Sequence, residues 1–360
     1  MAVTDTLLIT GGAGFVGSYL ALALKRARPT ARVIAFDNLK RRGSELALTR
    51  LAAGGVEFVH GDVRNPSDLH TFGHIDIVID CAAEPSVHAG YGGSPAYVTE
   101  TNLVGTLNAL ELARRDRAAV IFLSTSRVYP MAPLRQLPLV EGATRLEWQR
   151  DAVYQGASAA GIDEQFPMSG PRSLYGASKF AAELLIAEYS QMYEIPAVIN
   201  RCGVLAGSWQ MGKVDQGFVS LWVARHFFGG RLSYIGYGGS GKQVRDILHV
   251  DDLYRLVASQ IDAPERFTGK TYNVGGGAAR SVSLLELTGL CQAVTGRAIP
   301  IVSDPDTRAA DVPWYISDCR ALHAETGWAP EKSAVDIVRD VYDWIRRHES
   351  TLKPVLCPDG

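Results

Sequence analysis

A glycine-rich stretch, Thr10-Gly11-Gly12-Ala13-Gly14-Phe15-Val16-Gly17, lies between a short apolar run and a segment with helical apolar spacing. The run at 6–10 reads as a buried strand, and 15–28 as the helix it feeds. Glycines at 11, 14 and 17 form a GxxGxxG pattern. A tight turn at a helix N-terminus leaves backbone N–H groups to meet a phosphate, and missing Cβ atoms let a pyrophosphate approach. Glycine turns are common, so the pattern gains meaning from its context.

That context is an alternation of short β-like runs and helical segments, the sign of a parallel sheet. Strands are expected at 6–10, 33–36, 56–59, 75–80, 120–124 and 197–202, with helices at 15–28, 45–53, 66–72, 97–115 and 175–193. The fold class is therefore α/β, a doubly wound parallel sheet. Past Leu205 the periodicity weakens, and Gly, Ser and aromatic residues dominate 206–241. Helices follow at 251–260, 283–295 and 335–347. The expected division is a nucleotide-binding domain over 1–205, with 242–270 returning to it. A smaller interleaved cap then covers 206–241 and 271–350, and 351–360 is a mobile tail. The stretch 131–172 has no clear period and holds Pro133, Pro138, Pro167 and Pro171. Long segments of this kind are often functional.

With 47% hydrophobic and 21% charged residues the chain reads as an ordinary globular protein. Its net charge of -2 argues against a nucleic-acid or anionic-membrane surface, so any anionic ligand must be met by local arginines. Five cysteines without a CxxC pair suit reduced thiols in a cytoplasmic protein. No apolar stretch reaches the roughly 20 residues that span a bilayer. The first apolar run is too short for a secretory signal. No His/Cys/Asp cluster has metal spacing, so no metal is expected.

Asp37 follows Gly17 at the end of the second expected strand. A carboxylate there accepts the adenosine ribose hydroxyls and repels a 2′-phosphate, which points to NAD. Lys40, Arg41 and Arg42 would instead welcome that phosphate, which leaves NADP as the alternative, and Asp37 as a simple turn residue is the plain reading. Phe15, Val16 and Asn38 belong to the same surroundings. Asp62 and Val63, after the third strand, fall beside the adenine. Ala82 and Ala83, after the fourth, are small where the cofactor must pass. Asn102 either bridges backbone segments near the nicotinamide or serves as a helix-packing amide.

Tyr175-Gly-Ala-Ser-Lys179 places a phenol and an ammonium at i and i+4 on one helix face. A free tyrosine, with a pKa of about 10, is a poor base at neutral pH. A neighbouring ammonium and a positive nicotinamide favour phenolate, which can take a hydroxyl proton while a hydride leaves the same carbon. The fifth strand ends in Ser124-Thr125-Ser126-Arg127, and strand C-termini line the ligand crevice of such folds. Thr125 is placed to hydrogen-bond the reacting oxygen, which gives Tyr175, Lys179 and Thr125 as the catalytic set.

With these residues in place the chain resembles the extended short-chain dehydrogenase/reductase family, the NAD-dependent nucleotide-sugar epimerases and dehydratases with a Rossmann-like sheet. The likeness extends over nearly the whole chain. It takes in Asp37-Asn-Leu39, Gly61-Asp-Val63, Asn102, Val128-Tyr129, the string Gln243-Val-Arg-Asp246, Tyr272-Asn-Val-Gly-Gly276 and Gly327-Trp-Ala-Pro330. It implies that Arg245 and Arg308 grip the substrate diphosphate, each guanidinium fitting phosphate oxygens bidentately. Alone, they would pass for surface ion-pair partners. Glu84, His88, Ser126, Arg127, Val204 and Gln243 complete the expected substrate set; His88 reads equally well as a turn residue.

Within the family the nearest likeness is to 2-epimerases of CDP-hexoses. It rests on Asp37-Asn-Leu-Lys-Arg-Arg-Gly43, Glu141-Gly-Ala-Thr-Arg145, Gly161-Ile-Asp-Glu164 and Asp215-Gln-Gly217. Family dehydratases carry an Asp-Glu pair after the catalytic Thr, where this chain has Ser126 and Arg127. The 2-epimerase pattern has Asn and Lys there. Val204 replaces a frequent Asn, and Glu84 a neutral Gln. The resemblance implies reversible oxidation of a ring carbinol at C2, with bound NAD recycled and a homodimer or homotetramer as the assembly. The rivals are a net nucleotide-sugar oxidoreductase or dehydratase, and a non-catalytic NAD-binding sensor.

Overall fold

The computed structural model describes residues 5–213 and 216–357. Asp215 of the 2-epimerase-like string and the tail residues 358–360 lie outside the described residues. The chain divides into two compact units. The first runs up to Val128 and adds Ser173–Arg201 and Tyr254–Thr271; the second takes Tyr129–Arg172, Cys202–Leu253 and everything from Tyr272 onward.

The main sheet has seven strands: β1 (Thr6–Thr10), β2 (Arg32–Asp37), β3 (Glu57–His60), β4 (Ile77–Asp80), β5 (Ala119–Thr125), β6 (Ala197–Cys202) and β7 (Lys270–Val274). Their order is β7-β6-β5-β4-β1-β2-β3, and β1 to β5 pair in parallel. The order reverses direction between β1 and β4, the switch point at which such sheets bind ligands. Strands covered on both faces read as continuous apolar runs, and Leu7, Leu8, Ile9, Ile34, Phe36, Val78 and Phe122 are all fully buried. Three helices matter below: α1 (Phe15–Ala27), α2 (Gly105–Asp116) and α3 (Leu174–Tyr193). Ala109, Leu110 and Ala113 of α2 join Ala182 and Ile186 of α3 in one cluster with β4 and β5.

The single helix expected at 97–115 is three pieces: a turn of α-helix at Ala96–Thr99, a π-helical turn at Glu100–Val104, and α2. The wider π turn leaves no trace in apolar spacing, because Asn102 inside it is buried yet polar.

The second unit has a four-stranded sheet built from Val204–Ala206, Val244–His249, Ser281–Ser283 and Trp314–Tyr315, with helices Phe218–Phe228, Leu284–Thr295 and Ala334–Arg347. The boundary expected at residue 205 differs from this division. Residues 129–172 group with the second unit, and the return to the first begins at Tyr254. The stretch 131–172 also holds regular pieces, helix Met131–Arg135 and hairpin Leu139–Glu141 with Leu146–Trp148. The tail expected to be mobile from 351 is instead helical over Glu349–Leu356, with Leu352 and Leu356 buried. Pro354 inside that helix masks its pattern in the sequence.

Candidate active site

The glycine turn is as tight as the sequence requires. Gly11 has φ +63°, and Gly14 N–H donates to Gly11 O at 3.0 Å. A Cβ on Gly17 would stand 2.2 Å from Gly11 O. Gly12, which the GxxGxxG reading passes over, is equally constrained, since a Cβ there would lie 2.5 Å from Ala35 Cα in β2. Such crowding leaves room only for backbone, and it sets the N-terminus of α1, with Phe15 and Val16, against the loop. This is a cradle fit for a pyrophosphate. Asp37 closes it: its carboxylate accepts Ala13 N–H at 3.1 Å and Leu39 N–H at 2.7 Å. Burial pushes the Asp37 pKa upward, and the amide donors of Leu39, Ala13 and Gly14 oppose that rise.

Asn38 donates to Asp62 at 2.9 Å, and Arg64 grips the same carboxylate at 2.7 Å. Arg64 is the main reason that Asp62 is drawn down to about 2. Val63 packs where Gly105 opens α2, and a Cβ on Gly105 would stand 2.7 Å from its side chain. Lys40 and Arg64 both lie over the Tyr97 ring, at 5.5 and 4.8 Å from its centroid.

At the strand ends a polar knot orders the loop after β4. Thr10 Oγ donates to buried Asp80 at 2.5 Å and accepts the N–H groups of Cys81 and Ala82, both at 3.1 Å. Thr106 donates to the other Asp80 oxygen at 2.8 Å. Thr10 and Asp80 were not among the expected site residues; the available signal was a polar residue closing an apolar strand. The loop then carries Ala82, Ala83 and Glu84. Asn102 bridges three elements: its carbonyl oxygen accepts Glu84 N–H at 2.7 Å, and its amide donates to Glu84 O and Ser178 Oγ, both at 3.2 Å. Ser178 sits between Tyr175 and Lys179, so the amide ties this loop to α3.

Ser173 caps α3 by accepting Gly176 N–H at 3.2 Å, which starts the helix just ahead of Tyr175. Tyr175 is half-buried, whereas Lys179 is only 1% exposed, its ammonium 3.8 Å from the Phe122 ring centroid in β5. Thr125 is buried at the end of β5 and accepts Arg127 N–H at 3.2 Å. Ser126 and Arg127 follow in a 3₁₀ turn, both half-buried. His88 packs against the edge of Tyr91.

In the second unit Arg245 donates to Asp311 at 2.8 Å and to Val312 O at 2.6 Å. The "VRD" and "RxxD" strings therefore meet. Arg135, which the sequence did not single out, donates to Asp311 O at 2.8 Å and holds the same loop. Arg308 is half-buried; its carbonyl accepts Asp311 N–H at 3.1 Å, while its guanidinium makes no hydrogen bond or ion pair among the described residues. Gln243 donates to Ile235 O at 2.9 Å and keeps its own carbonyl oxygen buried without a partner. Buried Tyr237 OH is likewise unpartnered, although Asp311, Arg245 and Arg135 are near enough to affect its titration. Val204, half-buried, pairs with Ile247 in the sheet. Among the described residues no group of three or more His, Cys, Asp or Glu side chains is set to hold a metal, and no helix is long and apolar enough to cross a membrane.

A doubly wound sheet with this cradle and a Tyr/Lys helix defines a nucleotide-dependent enzyme class, and comparison makes the family explicit. The chain belongs to the NAD dependent epimerase/dehydratase family, whose profile it matches over residues 7–275. It is 32% identical to CDP-paratose 2-epimerase of Salmonella typhi, over 94% of this chain and 98% of that one. It is 29% identical to dTDP-glucose 4,6-dehydratase of Mycolicibacterium smegmatis, over 97% and 96%. UDP-glucose 4-epimerase of Thermus thermophilus, solved with NAD, superposes at a TM-score of 0.75 with 26% identity, covering 95% of this chain and 99% of that one. The chain is thus an NAD-dependent enzyme of the nucleotide-sugar epimerase/dehydratase group, and Gly11, Gly12, Gly14, Gly17 and Asp37 are the residues that fit NAD.

Proposed function

We propose that this enzyme epimerises a nucleotide-diphosphate sugar through a transient ketone, at C2 of a CDP-hexose. The observation that carries the choice over dehydration is the turn after Thr125. Elimination of water needs an acid and a base there, and this turn offers Ser126 and the guanidinium of Arg127 instead. The likeness to CDP-paratose 2-epimerase supports the same choice.

NAD, when bound, supplies the reversible two-electron acceptor. Tyr175 takes the proton of the ring hydroxyl, and Lys179, one turn along α3, favours the phenolate that does so. Thr125 donates a hydrogen bond to the same oxygen as it becomes a carbonyl. Arg245 and Arg308 hold the diphosphate, and Arg308, with its fork unengaged, has the capacity for a bidentate phosphate contact. The anchored diphosphate leaves the sugar free to turn, so that reduction on the opposite face yields the epimer. Tyr175 then returns its proton. No net oxidation results.

We further propose a cytoplasmic homodimer or homotetramer that buries α2 and α3, because Leu184 and Met192 of α3 are 56% and 65% exposed. The test is to denature the purified protein without added cofactor and identify what is released by mass spectrometry, then to supply CDP-hexoses and follow inversion at C2. Stoichiometric NAD and inversion without net NADH support the proposal. An empty protein that accumulates NADH with substrate overturns it in favour of a net oxidoreductase, and release of a 4-keto-6-deoxy product overturns it in favour of a dehydratase.

A further inference from the structure

Two turns beyond Tyr175 and one beyond Lys179, the same helix carries Glu183, a carboxylate only 4% exposed. Residues at i, i+4 and i+8 stack along one face, so Tyr175, Lys179 and Glu183 form a single stripe. Arg201, at the end of β6 and itself buried, meets Glu183 at 2.7 and 3.1 Å through two guanidinium nitrogens. Ser124 Oγ donates to the same carboxylate at 2.5 Å. Ser124 immediately precedes Thr125. The contact therefore ties the helix that carries the phenol to the strand that carries the threonine hydroxyl.

A buried ion pair is a poor device for stability alone, since well-packed apolar side chains often serve as well. It does specify geometry, because a carboxylate meeting a guanidinium fork and a hydroxyl has few alternative partners. A one-residue slip of a helix turns its side chains by about 100°. Such a slip of α3 would turn Tyr175 away from its present direction, and Glu183 would lose both contacts.

We propose that Glu183, with Ser124 and Arg201, is the positioning residue of the Tyr175–Lys179 pair, fixing the register of α3 against β5. This rests on the reading of Tyr175 as the catalytic base. Its charge met by Arg201, Glu183 does not pull on Lys179. Removing either partner alone should therefore displace the Tyr175 titration, in opposite directions. Other charged groups on elements packed against α3 are Glu100 in the π turn, Arg127 after β5, and Glu111, Arg114, Arg115 and Asp116 of α2, the last two paired with each other. Glu111 engages Tyr189 and Arg114 lies over Tyr193, both at the far end of the helix.

The experiment uses the full-length holoenzyme and follows phenolate absorbance against pH, taking the difference from Tyr175→Phe to isolate Tyr175. Glu183→Gln leaves the Arg201 charge unmatched and should lower the Tyr175 midpoint, by about one pH unit for charges about 12 Å apart (eight residues of helix) at an effective dielectric near 20. Arg201→Met leaves a carboxylate and should raise it by a similar amount. Ser124→Ala keeps the ion pair, guarding against variants that fail to fold. It should lower kcat about tenfold with KM and thermal midpoint little changed. A Glu183→Leu, Arg201→Met double variant that folds, keeps kcat within twofold and leaves the Tyr175 midpoint in place would overturn the proposal. Should Tyr175→Phe itself retain full activity, the functional reading fails instead.

Discussion

Around the proposed reacting residues of the first unit, most buried polar groups are met inside the protein, with Thr101 Oγ1 the exception. Asn102 uses both ends of its amide, Asp80 both oxygens, and Glu183 is held by Arg201 and Ser124. Near Arg245 in the second unit the pattern is different: Tyr237 OH and Gln243 Oε1 are buried and unpartnered, and the Arg308 guanidinium has no partner among the described residues. A buried polar atom without a hydrogen bond costs about 1–3 kcal/mol, so such atoms in a native protein call for an occupant. The first arrangement suits groups that must hold one geometry throughout a reaction. The second suits groups whose partners arrive with a ligand. On the proposed function, preorganisation and recognition fall to different stretches of the chain.

If that contrast is right, substitutions in the first unit should act on kcat and those in the second on KM. The largest effect belongs to Tyr175→Phe, expected to lower kcat by about 10³-fold, within the range of general acid–base catalysis, with KM little altered. Steady-state kinetics on the epimerised sugar checks this, and a pure KM effect would dissolve the contrast. Arg308→Ala should raise KM about 10- to 100-fold, the worth of one charge-assisted contact, with kcat nearly unchanged. Tyr237→Phe should raise KM a few-fold while leaving the thermal midpoint unchanged or slightly higher, since no internal hydrogen bond is lost; calorimetry beside kinetics separates the two.

The smallest effect concerns acid stability. Asp62 titrates at about 2 when folded, below the roughly 3.9 of an unfolded chain. Its stabilising contribution is therefore complete above about pH 4 and lost as pH falls toward 2. Asp62→Asn should flatten the loss of stability across that window in denaturant titrations. An unchanged slope would mean that Arg64 does not hold Asp62 in solution as it does here.

Much of this was readable beforehand, for reasons that differ by residue. Parallel strands covered on both faces print continuous apolar runs, so β1, β2, β4 and β5 were visible to within a residue or two. Gly17 and Tyr175 were visible because backbone approach and helical spacing each dictate residue type locally. The Glu183–Arg201 pair was not, since no period links a helix residue to a strand residue 18 positions later. Nor was the meeting of Arg245 with Asp311, 66 positions apart. The interleaving of the two units was expected, but not its first crossing at Val128, because the chain keeps the same apolar character on both sides of that point.

The π turn at Glu100–Val104 carries a consequence for how this sequence can change in length. It houses one residue more than an α-helical turn, and that surplus places Asn102 against Glu84 and Ser178 while Gly105 still abuts Val63. A surface loop absorbs the loss of a residue by shrinking; here the helix beyond would shift by about 1.5 Å and rotate by about 100°. Either the amide or the glycine would then lose its neighbour. Length at this point is a quantised property, and homologues aligned here without the extra residue must anchor the Glu84 loop by some other group.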